Sequence, residues 1–211
     1  MTVETVVVDH PLVLDALTRI RDVTTPNALF RQHLERIGML LIAEATQTLP
    51  TVDGTVTTPL TEAAAVRLAV QPVIVPILRA GLGFLSPAQQ LLPNADIGFI
   101  GIARNEETHE PEPYVNKLPD DIGNRPVIVV DPMLATGGSL IHTLELLVER
   151  GAVQPLTVVC ALCAPEGIAA VDASGLDVTL FTAAVDDRLN DQAFIVPGLG
   201  DAGDRHFGAP A

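Results

Sequence analysis

An acidic residue and a loop of small residues, set between two apolar segments, carry the clearest chemical signal in this sequence. Asp131 directly follows the β-branched run Val127–Val130, and an Ala-Thr-Gly-Gly-Ser loop at residues 135–139 precedes a helical pattern. This order places backbone N–H groups and a helix N-terminus where a phosphate group can bind. A carboxylate at a strand end can accept hydrogen bonds from sugar hydroxyls. The segment therefore predicts a ligand that contains both a sugar and a phosphate.

Two arginines follow other apolar runs that are typical of buried strands. Arg79 comes directly after VIVPIL at residues 73–78, and Arg104 comes directly after IGFIGIA at residues 97–103. Ligands of open parallel sheets bind outside the carboxyl ends of the strands. We therefore expect both guanidinium groups at the same sheet edge as Asp131, where they would supply positive charge beside the phosphate-binding loop.

The charge balance restricts the class of partner. The chain has 211 residues, with 26 acidic and 12 basic side chains, a net charge of −14, and Lys117 as its only lysine. Such a balance repels nucleic acid and argues against it as a partner. A phosphorylated substrate would need local positive potential from a few arginines, backbone dipoles and a divalent cation.

Composition also indicates the compartment. No uncharged apolar run reaches the roughly 18 residues of a membrane span, and the N-terminus lacks the basic start of a secretory signal. Two cysteines do not make a disulfide framework, so the cytoplasm is the simplest location. Cys160 and Cys163 form a CxxC pair within or just past an apolar strand, and we interpret them as buried small hydrophobic residues.

The spacing of apolar residues predicts the elements that must position these groups. Helices are expected at residues 12–21, 28–47, 61–70, 82–92 and 139–150, with a short helix from Pro165. Strands are expected at residues 73–78, 97–103, 127–130, 156–162 and 178–183. Asn27 is the expected N-cap of the second helix, Pro87 is expected to interrupt the fourth, and Gly151 ends the fifth. Continuous apolar strands alternating with helices predict an α/β fold with a mostly parallel sheet flanked by helices.

The length of the chain suits a single domain over residues 1–211. Two segments of this domain do not fit the alternation of strands and helices. Residues 104–124 are polar and rich in Glu and Pro, which predicts a functional flap or a disordered segment. The tail after Asp186 contains PGLGDAGDRHFG, whose glycines indicate unusual backbone angles.

Several other chemical motifs are excluded. The loop at 135–139 has no lysine after its glycines and is not a Walker A sequence. Gly81 and Gly83 follow a strand as in a dinucleotide-binding fingerprint, but Ser86 occupies the place of its third glycine. The five histidines show no paired spacing for a zinc site. Ser139 is better explained as a phosphate contact at a helix start than as a nucleophile.

The segment VVDPMLATGGSL resembles the phosphoribosyl diphosphate loop of the type I phosphoribosyltransferases. Its Asp-Pro form, with Pro132 in place of the second acid found in the broader superfamily, resembles the uracil phosphoribosyltransferases. Segments similar to the same family occur in order at 10–13 (HPLV), 21–22 (RD), 37–41 (IGMLL), 75–84 (VPILRAGLGF), 116–119 (NKLP), 164–168 (APEGI) and 195–208 (IVPGLGDAGDRHFG). The resemblance covers nearly the whole chain. It implies the type I phosphoribosyltransferase fold, with N-terminal helices, a flap at about 104–124 and a C-terminal base-binding hood at about 186–208.

The resemblance implies transfer of the 5-phosphoribosyl group from 5-phospho-α-D-ribose 1-diphosphate to uracil, giving UMP and diphosphate. Asp131 and Arg104 would then be catalytic, Mg²⁺ would be held mainly through the substrate, and no side chain is assigned as a general base. The implied phosphoribosyl diphosphate site comprises Arg79, Arg104, Asp131, Pro132, Met133, Leu134, Ala135, Thr136, Gly137, Gly138, Ser139 and Asp201. The implied uracil site comprises Ile195, Gly200, Asp201 and Ala202.

Relatives in this family are dimers or larger and some are activated by GTP, so the resemblance implies a homo-oligomer and a GTP effector. Two other functions remain open. A pyrimidine-responsive RNA-binding regulator could use the same fold, although it would need a basic face that a net charge of −14 does not favour. A transferase for another base could share the loop at 131–139, but it would not explain the IVPGLGDAGDR tail.

Overall fold

The computed structural model describes residues 3–104 and 111–208. Its elements in chain order are β1 (Glu4–Val7), α1 (Pro11–Arg21), α2 (Asn27–Ala45), β2 (Thr51–Thr57), β3 (Glu62–Leu68), β4 (Val73–Leu78), α3 (Leu85–Leu91), β5 (Asp96–Ile97), β6 (Phe99–Arg104), β7 (Pro111–Lys117), β8 (Val127–Val130), β9 (Met133–Leu134), α4 (Gly138–Glu149), β10 (Leu156–Cys163), α5 (Pro165–Ala173), β11 (Val178–Val185), β12 (Arg188–Leu189), β13 (Ile195–Val196) and α6 (Ala202–Phe207).

A mostly parallel central sheet confirms the predicted fold class. Its strand order is β1-β11-β10-β8-β4-β6-β7, with β5 beside β4 and β9 beside β10. β7 runs antiparallel to β6, whereas the other paired strands of this sheet are parallel. β4 and β8 are direct neighbours, so their carboxyl ends open at one edge of the sheet, where α/β proteins bind ligands.

Helices cover both faces of the sheet, which explains the continuous apolar strands. All of β8 is buried, and its residues alternate between two core layers. Ile128 and Val130 pack in the layer that contains α1 and α2, and Val127 and Val129 pack in the layer that contains α4. This alternation follows from the two-residue period of a strand. None of the helices in the described residues combines the length and apolar character needed to cross a bilayer.

The helix predicted at residues 61–70 is wrong. β2 and β3 form an antiparallel hairpin in register from Thr51 and Leu68 to Thr57 and Glu62. The Thr58 hydroxyl donates to the Thr61 carbonyl at 2.8 Å and holds the connecting turn. Three consecutive alanines in β3 favour a helix by composition. However, β3 pairs with β2, whose β-branched residues favour the extended backbone.

Smaller departures occur at element ends. Asn27 is the first residue of α2, Pro26 holds the N-cap position without a side-chain cap, and the helix ends at Ala45. A 3₁₀ turn (Ala80–Phe84) precedes α3. Pro87 lies in the first turn of α3 and does not interrupt it, because N–H groups there have no partner within the helix. β1, which extends the sheet beside β11, was not predicted.

The predicted flap is in part a strand. β7 pairs antiparallel with β6, and the ring of Tyr114 lies against Gly101, where a Cβ atom would be 2.6 Å from the ring. Residues 105–110 lie outside the described residues. The single strand predicted at 97–103 is divided at Gly98 into β5 and β6.

Candidate functional site

The segment that follows β8 is fixed by the neighbouring strand. The Pro132 carbonyl accepts hydrogen bonds from the backbone N–H groups of Ala161 and Leu162 at 2.9 and 3.0 Å. The Leu134 carbonyl accepts one from Ala164 at 2.8 Å. These contacts connect the beginning of the loop to β10, so the loop starts from a rigid element.

Glycines shape the rest of the loop. Gly137 has a φ of +86°, a conformation that L side chains rarely adopt, and it immediately precedes α4. A Cβ atom on Gly167 of α5 would lie 2.4 Å from the Ala135 carbonyl oxygen, so α5 packs directly on the loop backbone. Around Gly138 the space is open, with Thr136 Oγ1 at 3.9 Å from the position of an added Cβ.

The loop encloses a small cavity of about 110 Å³ at the N-terminus of α4. Its lining consists of Asp131, Met133, Leu134, Ala135, Thr136, Gly137, Gly138, Ser139 and Leu140. Pro132 is buried and does not line it. The N–H groups in the first turn of α4 have no partner within the helix and carry the positive end of its dipole. The cavity can therefore bind an anion, as the sequence predicts.

Asp131 lies at the carboxyl end of β8, beside this cavity. Burial raises the pKa of its carboxyl group to about 7, although a hydrogen bond from the Met133 backbone acts in the opposite direction. Near neutral pH the side chain thus exchanges between a carboxylate and a neutral acid. A carboxyl group with such a shifted pKa, placed in a cleft, is typical of a functional site.

A larger cavity of about 480 Å³ joins the loop to the C-terminal segment. On one side it is lined by Met133, Ala135, Thr136, Gly138 and Ser139, and on the other by Gln192, Ala193, Phe194, Ile195, Gly200, Asp201 and Ala202, with Ile102 between them. All four residues expected in the uracil site therefore line the same cavity as five residues of the loop that is predicted to bind phosphate. The structure thus brings together the loop residues and the tail residues, which lie more than 50 positions apart in the sequence.

Four cavity residues were not predicted: Ile102, Gln192, Ala193 and Phe194. Phe194 is 41% exposed, and its ring is a large apolar surface at the cavity. Ala193 has a φ of +62° in the turn between β12 and β13. An aromatic residue directly before the IVPG segment was the available sequence signal for Phe194, but Ala193 carried no such signal.

The C-terminal segment folds into tight turns beside the cavity. Gly198 and Gly200 have φ values of +60° and +81°, and a Cβ atom on Gly198 would lie 2.0 Å from the Ile195 carbonyl oxygen. Asp201 is the N-cap of α6, and its Oδ1 accepts a hydrogen bond from the Asp204 N–H at 2.8 Å. The turns therefore bring Gly200 and Asp201 to the same cavity that Phe194 and Ile195 line.

The two predicted arginines lie at strand ends, and Arg79 lines neither of the two cavities. Arg79 directly follows β4, the neighbour of β8, and its side chain is exposed. Arg104 is the last residue of β6, and its side chain lies outside the described residues. The structure thus places both backbone positions at the edge that the sequence predicts.

The cysteine pair is buried, as predicted. Cys160 and Cys163 are fully buried in β10, and neither forms a disulfide. A hydrogen bond with Cys163 and burial together raise the pKa of the Cys160 thiol, which makes a reactive thiolate unfavourable. Among the described residues, no three His, Cys, Asp or Glu side chains are grouped so that they could hold a metal ion.

Comparison with known proteins adds an independent line of evidence. The family model described as uracil phosphoribosyltransferase matches residues 7–209. The uracil phosphoribosyltransferase of Corynebacterium efficiens is 51% identical over 202 residues, which cover 96% of this chain and 95% of that protein.

Solved structures agree in fold. The AQ2163 protein from Aquifex aeolicus superposes with a TM-score of 0.90 at 38% identity, over 97% of this chain and 98% of that one. A hypoxanthine-guanine phosphoribosyltransferase from Bacillus anthracis has a TM-score of 0.51 at 16% identity, over 76% of this chain and 80% of that one. The second likeness concerns the fold alone.

Proposed function

The chain belongs to the uracil phosphoribosyltransferase family, and we infer from this membership that it transfers the 5-phosphoribosyl group of 5-phospho-α-D-ribose 1-diphosphate to uracil. The products are UMP and diphosphate. One structural observation supports this function most directly: the phosphate-binding loop and the glycine-rich tail face one cavity of about 480 Å³. A two-substrate reaction needs such a shared space, because the sugar and the base must meet.

The loop residues Asp131–Ser139 bind the phosphoribosyl substrate in this proposal. Backbone N–H groups at the start of α4 hold the 5-phosphate, and the Asp131 carboxylate accepts hydrogen bonds from the ribose hydroxyls. Arg79, Arg104 and Asp201 contact the same substrate, with both arginines on its diphosphate side. This arrangement concentrates positive charge where a chain of net charge −14 otherwise lacks it.

The reaction exchanges one bond at C1 of the ribose for another. The bond from C1 to the diphosphate oxygen breaks and its electron pair leaves with diphosphate, while N1 of uracil bonds to C1 from the opposite face and loses its proton. Positive charge develops on the ribose, as in other glycosyl transfers. Catalysis consists mainly of alignment of the two substrates and stabilisation of the departing diphosphate by Arg79 and Arg104. The flap at about 104–124 would exclude water, which would otherwise hydrolyse the activated sugar.

Mg²⁺ is part of the proposal and would be held mainly through the substrate. Among the described residues, Asp131 is the loop carboxylate that lines the smaller cavity, and its oxygens suit a hard cation such as Mg²⁺. Bound Mg²⁺ would neutralise charge on the diphosphate.

Uracil is bound by the tail, through Ile195, Gly200, Asp201 and Ala202. Uracil presents two carbonyl acceptors on either side of the N3–H donor, and main-chain groups in tight turns can match that pattern at fixed positions. A base with another pattern would leave buried polar groups unpaired, which permits discrimination on the order of 10⁴-fold. Phe194 offers an apolar surface for the base ring.

A panel of bases tests the proposed function. Uracil, cytosine, adenine, guanine and hypoxanthine are each assayed with the phosphoribosyl substrate and Mg²⁺, and nucleotide formation is followed by chromatography. We expect UMP from uracil and at least 10³-fold lower kcat/KM for the other bases. Preferred use of a purine would overturn the assignment of uracil, and a repeat without Mg²⁺ tests its requirement.

Further features of the proposal concern the whole molecule. We expect one cytoplasmic domain that assembles into a homodimer or larger oligomer through apolar surface, and that GTP acts as an effector. Val52, Leu60 and Val66 of the β2–β3 hairpin are 51%, 95% and 65% exposed and offer such surface. Analytical ultracentrifugation measures the oligomeric state, and addition of GTP to the uracil assay measures activation.

A further inference from the structure

Two arginines that do not line the cavity hold adjacent carbonyl groups of the tail. Arg21, the last residue of α1, donates from Nη1 to the Gly198 carbonyl at 2.8 Å. Arg205 of α6 donates from Nη1 to the Leu199 carbonyl at 3.0 Å. The turn from Gly198 to Gly200 is thus held by two guanidinium groups from different helices.

Arg21, Gly198 and the buried Asp186 are connected to one another by hydrogen bonds. Asp186 follows β11, and its side chain is 4% exposed. Arg21 donates from Nη1 and Nη2 to the two carboxylate oxygens at 2.8 and 2.5 Å, and the Gly198 N–H donates to Asp186 Oδ2 at 2.8 Å. Both polar backbone groups of Gly198 are therefore fixed by one ion pair, in a bidentate geometry that lysine cannot reproduce.

Arg205 connects the same turn to the end of α1. Its guanidinium also donates to the Ile20 carbonyl and, from Nη2, to the Asp22 carbonyl at 2.7 Å. The guanidinium carbon lies 4.6 Å from the centre of the Phe30 ring. With a longer contact to the Thr25 carbonyl at 3.5 Å, four backbone carbonyls and an aromatic face constrain this side chain.

These contacts determine the direction of the next peptide group. In a trans peptide unit the C=O and N–H groups point in opposite directions, so a Leu199 carbonyl held by Arg205 directs the Gly200 N–H away from that side chain. Gly200 lines the cavity, and within the described residues its N–H donates to no protein acceptor. It is therefore available to an acceptor oxygen of a ligand.

We propose that Arg21 and Arg205 are positioning residues that set the base-binding turn through the Gly198 and Leu199 carbonyls and thereby determine the affinity for uracil. This inference rests on the proposed function. It distinguishes the two substrates, because neither arginine side chain forms a hydrogen bond with the described loop at residues 131–139.

The test compares KM values for the two substrates. The variants are Arg205→Lys, Arg21→Lys, and Arg21→Met combined with Asp186→Asn, so that no carboxylate is left buried without its partner. We expect the double variant to raise KM for uracil about tenfold or more, the lysine variants to show a smaller rise, and KM for phosphoribosyl diphosphate to stay within about twofold. Titration calorimetry of phosphoribosyl diphosphate binding is expected to give an unchanged Kd.

Arg19→Met is the matched control, since Arg19 lies on the same helix and pairs at the surface with Asp15. It is expected to leave both KM values unchanged. If the double variant does not fold, the lysine variants, checked by circular dichroism, carry the same comparison. Equal changes in both KM values, or none, would overturn the positioning role in an enzyme that still makes UMP. Absence of UMP synthesis by the unmodified protein would instead overturn the proposed function.

Discussion

Asp131 lies at the proposed substrate site, in an environment that disfavours its charged form. Its carboxyl group lines the loop cavity, and burial raises its pKa to about 7. An ordinary aspartate remains ionised down to about pH 4. In the folded protein, ionisation of this group near pH 7 is therefore opposed by its surroundings, as is common where function requires a charge in a poorly solvated place.

Replacement of Asp131 by Asn is expected to lower activity and raise stability. The amide cannot accept charge-assisted hydrogen bonds from ribose hydroxyls, so kcat/KM for phosphoribosyl diphosphate should fall about 10- to 100-fold. Because the pKa of Asp131 is about 7 in the folded state and near its ordinary value of 3.8 in the unfolded state, this group lowers the stability of the fold as pH rises from about 4 to about 7. The variant should therefore unfold at a higher temperature than the unmodified protein at pH 8, as measured by calorimetry.

The same pKa predicts the pH dependence of the reaction. For the unmodified protein, kcat/KM for phosphoribosyl diphosphate should fall as pH decreases below about 7, because the free protein loses the carboxylate. The Asn variant should not show this decrease in kcat/KM. The substrate also titrates, but it does so equally in both assays, so a difference between the two pH profiles comes from residue 131. Identical pH profiles would contradict the proposed ribose contact.

At the scale of elements, neighbouring glycines of the loop have different tasks. Gly137 has a φ of +86° and faces the Gly167 carbonyl, whereas Gly138 has ordinary helical geometry and faces open space. The first position serves the backbone turn that starts α4. The second keeps the cavity wide enough for a ligand.

Alanine at these two positions is expected to separate stability from binding. Gly137→Ala places a side chain in the left-handed region and should lower the free energy of unfolding by about 1–2 kcal/mol. Gly138→Ala should leave stability unchanged or slightly higher, since alanine favours helices, but should raise KM for phosphoribosyl diphosphate by filling the cavity. Urea denaturation and steady-state kinetics measure the two effects, and equal stability of both variants would contradict the assignment.

Local pattern explains which elements could be predicted from the sequence. β8, the loop and α4 follow from a β-branched run, an acid, small residues and a helical repeat within about 25 positions. The strand from Glu62 to Leu68 was missed because its alanines favour a helix and its antiparallel partner determines its conformation. Phe194 and Ala193 could not be placed at the cavity, since their positions depend on a turn geometry that composition does not specify.

At the scale of the whole molecule, long-range contacts complete the site. The pairing of Arg21 with Asp186 joins residues 165 positions apart and has no local signature in the sequence. Segments 21–22 and 195–208 both resemble the same family, which indicated that both belong to its characteristic sequence. It did not indicate that Arg21 contacts Gly198 in the second segment. The proposed base site therefore needed the structure, whereas the loop could be recognised from the sequence alone.

Net charge supports a prediction against nucleic-acid binding. With 26 acidic and 12 basic residues, the chain has a net charge of −14 and is expected to repel the phosphate backbone of a nucleic acid. In a filter-binding titration with pyrimidine-operon leader RNA at low salt, we expect no binding tighter than about 10⁻⁴ M, the weak end of non-specific affinities. Saturable retention of that RNA at micromolar protein would favour the RNA-binding regulator instead.

The two guanidinium contacts on the tail also have a consequence for biosynthesis. The loop is stabilised by partners that follow it closely in the chain, such as Ala164 on the Leu134 carbonyl. Arg205, by contrast, lies 185 positions after Ile20, to whose carbonyl it donates. Because synthesis proceeds from the N-terminus, the contacts of Arg205 become possible only after α6 has been made, later than the contact between Leu134 and Ala164. A chain that stopped before Arg205 would lack the guanidinium group that holds the Leu199 carbonyl, and only Arg21 would remain to hold the tail turn through Gly198.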